Sequence, residues 1–254
     1  MKVAVVGMGS IGTRHYANLA DELGCTVRGV DIGEKLPLTV DCAFVCTPTS
    51  EHLKIATIYV DRGIPVFIEK PLADTLPDLD FADDINWHQS SMVACNLRFT
   101  STVQSLRSFK PALLDAYVST NDTKFKYGDI ALEDIHEFDY IQYCLGEVDS
   151  IEFIRKSKWE YDACMFLRGG RIAFVHGDRT GKRYDRHAIL DGMKLEITTD
   201  NSMYVAEAKH FLKCVMDTKR SMNHPHEASK LTRRLLDALH RCHHPSAKNV
   251  NEIS

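Results

Sequence analysis

Lys70, at the end of an apolar run, and His136, in a polar stripe at helical spacing, are residues whose types could each move a proton near neutral pH. A lysine is a compact point charge whose pKa falls on burial, and an imidazole ordinarily titrates near 6.5. Transfer of a hydride from a carbinol needs such a pair, a base for the hydroxyl proton and a positive charge beside the developing alkoxide. Lys70 stands in Glu69-Lys70-Pro71, directly after the apolar run Pro65-Val66-Phe67-Ile68. On a helix, Glu133, His136 and Asp139 share a face at i, i+3 and i+6, so that the carboxylates can orient the imidazole. The same spacing also describes a polar stripe beside the apolar face of Ile135, Phe138, Ile141 and Leu145.

A third constellation opens the chain. Lys2 to Val6 reads as a short apolar strand, Gly7-Met8-Gly9-Ser10-Ile11-Gly12 follows at once, and Ile11, His15, Leu19 and Leu23 then recur at helical spacing. Gly7 makes the tight turn, Gly9 lets the backbone approach a pyrophosphate, and Gly12 lets helix and strand pack closely. The free amides around Ser10 and Ile11 face the anion. The next strand, Thr26 to Val30, ends in Asp31, about twenty residues past Gly12, where a ribose-binding acid belongs. A carboxylate there accepts from the 2′-hydroxyl and repels a 2′-phosphate, which favours NAD over NADP. His15 lies in the apolar row and reads as a packed histidine.

The elements that position these residues alternate as strands and helices. Cys42 to Pro48 is a strand leading into a turn, Ser50 to Gly63 a helix, Pro65 to Ile68 a strand, and Ser91 to Phe99 the last strand of the series. Ligands of open parallel sheets bind beyond the carboxyl ends of the strands, so Asp31, Thr47, Lys70 and Asn96 fall along one rim. After Phe99 the alternation stops. A short helix, a strand at 112–120, a helix from about Asp129 to Leu145, and strand-like runs near Ile151 and at 161–167, 171–175 and 193–198 follow, with Gly169-Gly170 and Asp191-Gly192 as hairpin turns. Met203 to Asp217 and Glu227 to His240 read as closing amphipathic helices.

With 44% hydrophobic and 26% charged residues and a formal charge of −4 over 254 residues, the chain belongs with soluble globular proteins. It lacks the basic footprint of a nucleic-acid binder. No run approaches 18 apolar residues, and the start lacks a signal-peptide layout, which sets the expectation of a cytoplasmic protein with no membrane partner. The eight cysteines include no CxxC pair and read as free thiols. The tail His240-Arg241-Cys242-His243-His244 carries metal-type ligands without a partner cluster, so no metal is expected. Arg179, Lys182, Arg183 and Arg186 read as a solvated hairpin loop, with contact to a nucleotide diphosphate as the alternative.

The motifs together resemble the glucose-fructose oxidoreductase and inositol dehydrogenase family in its sugar and sugar-nucleotide branch. They are Gly7-x-Gly9-x-x-Gly12-x-x-His15, Cys46-Thr47-Pro48-Thr49-x-x-His52, Glu69-Lys70-Pro71-Leu72-Ala73, Asn96-x-Arg98-Phe99, His136-Glu137-Phe138-Asp139 and the late helix around Met203-Tyr204 and His210-Phe211-Leu212. The resemblance implies an α/β protein, a Rossmann-type parallel sheet plus a second α/β domain whose open, largely antiparallel sheet carries the substrate and the interface of a homo-oligomer. It implies NAD as cofactor, held by Gly7, Gly9, Ser10, Ile11, Gly12, Asp31, Thr47, Pro48, Thr49, His52, Glu69 and Lys70. It also implies a sugar or sugar-nucleotide substrate, with Lys70 and His136 meeting at the reacting hydroxyl, Glu133 and Asp139 beside the histidine, and Asn96 and Arg98 at the substrate. The expected domains are 1–99, 100–222 and a C-terminal helix and tail at 223–254 packing back on the first.

Two features depart from the family. The eleven residues 32 to 42 reach at most about 36 Å extended, too little for a further helix and strand, so the usual third strand is expected to be missing and the adenosine end more open. Leu132, four residues before His136, stands where many members carry an aspartate, while Glu133 matches the sugar-nucleotide branch. The readings kept beside the leading one are a reductase of a non-sugar carbonyl or unsaturated compound and a non-catalytic NAD(H)- or metabolite-binding regulator.

Overall fold

The run Lys2–Val6 forms β1, and every side chain of it after Lys2 is buried, as expected of a strand covered on both faces. The computed structural model describes residues 1–31, 33–109, 111–120, 128–181 and 184–243. From β1 the chain passes through the glycine turn into α1 (Ser10–Ala17), a π-helical turn at Asn18–Glu22 and β2 (Thr26–Val30). It continues with β3 (Cys42–Val45), α2 (Thr49–Val60), β4 (Val66–Ile68), α3 (Leu76–Asp84) and β5 (Met92–Val93). These strands make an all-parallel sheet in the order β2-β1-β3-β4-β5. Among the described residues between Val30 and Cys42 there is no strand or helix, so the third-strand unit is absent as expected. The short return is tied down at its end, where Lys2 N–H donates to Asp41 Oδ2 (2.7 Å) and Asp41 N–H to Lys2 O (2.8 Å).

β5 is shorter than the expected strand. The chain leaves it for a 3-10 turn at Asn96–Phe99, which places Asn96 and Arg98 on a turn rather than in a strand. The cause is local competition for the backbone: Asn223 O accepts from Val93 N–H (2.9 Å), and the Glu207 carboxylate takes the Cys95 N–H. α4 (Ser101–Phe109) follows.

The second sheet begins with β6 (Leu113–Ser119), continues through α5 (Ile130–Glu133) and α6 (Ile135–Leu145), and adds β7 (Val148–Lys156), β8 (Glu160–Leu167), β9 (Arg171–Asp178), β10 (Asp185–Leu190) and β11 (Met193–Glu196). Its order is β11-β10-β6-β9-β8-β7, antiparallel throughout except for β6 beside β9. β10 falls where the sequence reads as a solvated loop. Alternation along β6 buries Leu114, Ala116 and Val118 on the face that α6 covers and leaves Leu113, Asp115 and Tyr117 on the other.

Two units result, Met1–Phe109 with Ile197–Thr232 and Lys110–Glu196 with Arg233–Ser254. This corrects the expected boundaries. α7 (Asn201–Asp217) belongs to the first unit, because Ala208, Phe211 and Leu212 complete a core with Val3, Val5, Phe44 and Phe67. Burying a side chain such as Phe211 contributes roughly 1.5 to 3 kcal/mol. α8 (Pro225–His243) is divided. Ser229 Oγ donates to Asp83 Oδ1 (2.7 Å) within the first unit, whereas Arg241 donates to Ile151 O (3.1 Å) within the second.

Candidate active site

The glycine turn of the first unit is shaped by close contact. Gly7 has φ +92°, which favours glycine, and a Cβ there would lie 2.7 Å from Cys46 O; a Cβ on Gly12 would lie 1.8 Å from Gly7 O. Gly9 differs, since a Cβ there meets nothing within 4 Å. Gly9 is also the N-cap of α1 and offers no side-chain cap, so the first amides of the helix, at Ser10 and Ile11, have no capping side chain. Asp31 is exposed at the end of β2, and its Oδ1 accepts from Met8 N–H (3.0 Å), which brings the carboxylate to the same turn.

Along the rim, Thr47 follows β3 and Thr49 opens α2 after Pro48. Both hydroxyls are buried and have no hydrogen-bond partner within the protein. His52 lies deeper than expected for a cofactor contact. Its Nε2 faces Thr47 O (2.8 Å) and its Nδ1 faces Pro71 O (3.0 Å), so it ties the Thr47 turn to the Lys70-Pro71 turn, whose peptide bond is cis. Burial lowers its pKa, against the pull of the two carbonyls. The role the structure supports for His52 is positioning rather than ligand contact.

Glu69 follows β4, and its N–H donates to Val45 O (2.9 Å). One carboxylate oxygen sits 2.9 Å from His15 Nε2, and the other accepts from Lys70 N–H (3.3 Å). Burial pushes this carboxyl up, but the hydrogen bond and charge of His15, with Lys70 and His52, outweigh it and leave the pKa lowered. His15 is fully buried among Phe44, Phe67 and Tyr204, the packed histidine that the apolar row implied. The His15–Glu69 pair was not legible, because helix position and strand end are 54 residues apart. Lys70 is half-buried beside it. Asn96 is buried with Oδ1 unpartnered. Arg98, expected at the substrate, is instead buried and given to Met222 O (2.8 Å) and Asn223 Oδ1 (3.1 Å), which anchors the loop after α7.

The second unit holds Glu133, His136 and Asp139, but not on one continuous helix. Asp134 (φ −92°, ψ 19°) breaks the expected 129–145 helix into α5 and α6, between the glutamate and the histidine. Glu133 and His136 are half-buried and Asp139 is buried. The acids whose ion pairs anchor this region are ones the spacing argument passed over. Asp134 pairs with Arg179 and accepts from Tyr161 OH (3.4 Å), and Glu137 Oε1 lies 2.6 Å from Arg186 Nε. Arg179 and Arg186 therefore turn inward, which corrects their reading as a solvated loop; Lys182 and Arg183 lie outside the described residues, as does His244 of the tail. No group of three or more metal-ligand side chains forms among the described residues, and no helix among them is long and apolar enough to cross a membrane.

The rim of the first unit fits a dinucleotide. The open space at Gly9, the uncapped start of α1 and the two unpartnered threonine hydroxyls supply amide and hydroxyl groups for a pyrophosphate, and Asp31 supplies an acceptor for a ribose. Residues 33–96 match the profile of an oxidoreductase family with an NAD-binding Rossmann fold. No curated protein matches the chain. Among solved structures, a myo-inositol dehydrogenase from Corynebacterium glutamicum aligns with TM-score 0.80 at 15% identity, over 94% of this chain and 96% of its own. A UDP-N-acetylglucosamine 3-dehydrogenase from Acidithiobacillus ferrooxidans aligns with TM-score 0.78 at 17% identity, over 94% and 96%. An oxidoreductase from Agrobacterium radiobacter in complex with NAD+, L-tartaric acid and magnesium aligns with TM-score 0.79 at 12% identity, over 96% and 97%. At these identities the likeness establishes the fold. The matched segment lies within the parallel-sheet unit, and the chain is similar over this stretch to the oxidoreductase family with an NAD-binding Rossmann fold and in fold to the two dehydrogenases.

Proposed function

We propose that the chain is an NAD(H)-dependent dehydrogenase or reductase that moves a hydride to or from a hydroxyl or carbonyl carbon of a sugar or sugar nucleotide. The observation that carries this reading is the rim of the first unit, where Gly9 leaves open space and the Thr47 and Thr49 hydroxyls have no partner within the protein. When bound, the nicotinamide supplies the hydride acceptor or donor. The chain's own part is to hold the pyrophosphate on the first amides of α1, to hold the ribose on Asp31, and to handle the substrate proton. Lys70 stabilises the alkoxide, His136 takes or returns the hydroxyl proton, and Glu133 and Asp139 support the imidazole. Asn96 contributes its unpartnered Oδ1 to a substrate hydroxyl.

Two finer readings go with this. A second copy of the chain packs on the open face of the second sheet, where Leu113, Phe166 and Ile172 are exposed and Tyr117 is stacked between His176 and His187 at 4.3 and 4.8 Å. The cytoplasm is the compartment that suits the free thiols, of which Cys242 is exposed.

Fluorescence titration tests the cofactor half. NADH is expected to bind more tightly than NADPH, and Asp31→Ala to narrow the ratio; equal affinities in the unmodified chain would sink the assignment. Absorbance at the NADH band with NAD+ and a panel containing myo-inositol, free hexoses and UDP-N-acetylglucosamine tests the substrate half. Tight NADH binding with no turnover of any carbinol or carbonyl compound would leave a binding protein in place of an enzyme.

A further inference from the structure

The segment that carries Glu133 and His136 is fastened to the second sheet by three ion pairs, each using a cation from a different place in that sheet. Lys156 of β7 lies 2.9 Å from Asp129 Oδ2, Arg179 just past β9 pairs with Asp134, and Arg186 of β10 lies 2.6 Å from Glu137 Oε1. Glu137 is 0% and Arg186 12% exposed at the side chain, so this pair sits out of water. Buried pairs of this kind contribute little net stability compared with apolar side chains of similar volume, because both ions lose their hydration. What they do supply is position: Arg179 donates a hydrogen bond to Asp134, while Arg186 and Lys156 hold Glu137 and Asp129 by charge at close range.

The backbone carries the mark of that geometry. Asp129 caps α5, with Oδ1 accepting from Ala131 N–H (2.8 Å) while Oδ2 meets Lys156. Asp134 leaves helical geometry at the junction of α5 and α6, and there its carboxylate is shared by Arg179 and Tyr161. In an unbroken helix Glu133 and His136 would stack one turn apart; the break at Asp134 falls between them. The two acids on either side of His136 in the chain are both anchored.

We propose that Arg179 and Arg186 are positioning residues for His136: by fixing Asp134 and Glu137 around it, they set the direction of its imidazole. This rests on the reading of His136 as the proton carrier, and it assigns a purpose to the basic hairpin that its composition alone does not reveal.

The test uses the full chain without added ligand and the ring Cε1–H correlations of its twelve histidines. The His136 signal is identified by its loss in His136→Ala. Arg186→Gln combined with Glu137→Gln, and Arg179→Gln combined with Asp134→Asn, replace each pair by neutral amides that can still hydrogen-bond, so neither leaves a lone buried charge. The His136 signal is expected to move or double in both variants while the other histidines outside the hairpin hold their positions, and Arg186→Lys is expected to return it toward the original. A His136 signal unmoved in both double variants overturns the proposal, as does an equal disturbance of every histidine, which would mark a purely structural role. Turnover of the sugar panel by His136→Ala is a separate readout: full activity there removes the functional reading of His136 even where the signal has moved.

Discussion

The glycine turn of the first unit and the 129–137 segment of the second solve the same problem, the placing of a few polar groups, by opposite means. The turn is fixed by atoms that leave no room: Gly7 and Gly12 pack against Cys46 and each other, and the binding groups are backbone amides. The 129–137 segment is fixed by attraction at a distance in sequence, with Asp129, Asp134 and Glu137 reaching cations 27, 45 and 49 residues further along the chain. A site made by sterics writes itself as a short motif. A site made by long-range charge pairs does not.

The largest effect should come from breaking one of those pairs. Glu137→Ala leaves the Arg186 guanidinium buried without its carboxylate, and about 3 to 5 kcal/mol of stability should be lost, read as a lowered urea midpoint. Because the pair is out of water, the loss should be nearly the same at low and high salt. A loss below about 1 kcal/mol, the range of exposed pairs, would contradict the burial on which the contrast rests.

The glycines test the other side of the comparison. Gly12→Ala puts a Cβ against Gly7 O and should cost on the order of 1 to 3 kcal/mol along with NADH binding. Gly9→Ala, with open space around it, should leave the melting temperature unchanged and weaken NADH about tenfold, some 1.4 kcal/mol. If Gly9→Ala bound NADH as well as the original, the open space would not be the pyrophosphate cradle.

The smallest effect separates the units by acid. Burial lowers the pKa of His224 to about 4, and lowers those of His52 and His210, all in the first unit. A histidine with a depressed folded pKa favours the neutral form, so its contribution is complete above about 6.5 and is lost as pH falls from there toward 4. In the second unit Asp162 and Asp185 have lowered pKa values, where the hydrogen bonds and charges of their partners outweigh burial, so their contribution persists until pH falls below the ordinary carboxylate value of about 3.9. Amide exchange at pH 5 should therefore rise first in the parallel sheet, and His224→Gln should flatten that rise. Earlier loosening of the second sheet would reverse the assignment.

The sequence shows the parallel sheet, the missing third strand and the glycine turn because glycine spacing, apolar runs and a strand-end acid are local signals. It misplaces α7 in the second domain, since the partners of Phe211 are residues such as Phe44 and Phe67, far away in the chain. It sends Arg98 to the substrate, because nothing local shows that Met222 and Asn223 will take its guanidinium. It joins Glu133 and His136 on one helix, because nothing local marks the break at Asp134, whose carboxylate meets Arg179 and Tyr161. Each of these errors concerns a polar or apolar partner far away in the chain, 27 residues for Asp134 with Tyr161 and 124 for Arg98 with Met222.

The central claim is that Lys70 and His136 act on one substrate hydroxyl during hydride transfer. Single-turnover hydride transfer in Lys70→Met and His136→Ala, with the best substrate of the sugar panel, tests it most directly. Each change should slow the step by about 10² to 10⁴, while in His136→Ala NADH affinity stays within about twofold, because in this account the imidazole touches the substrate and not the cofactor. Rates near those of the unmodified chain in both variants would contradict the account and leave the protein a dinucleotide-binding fold without this chemistry.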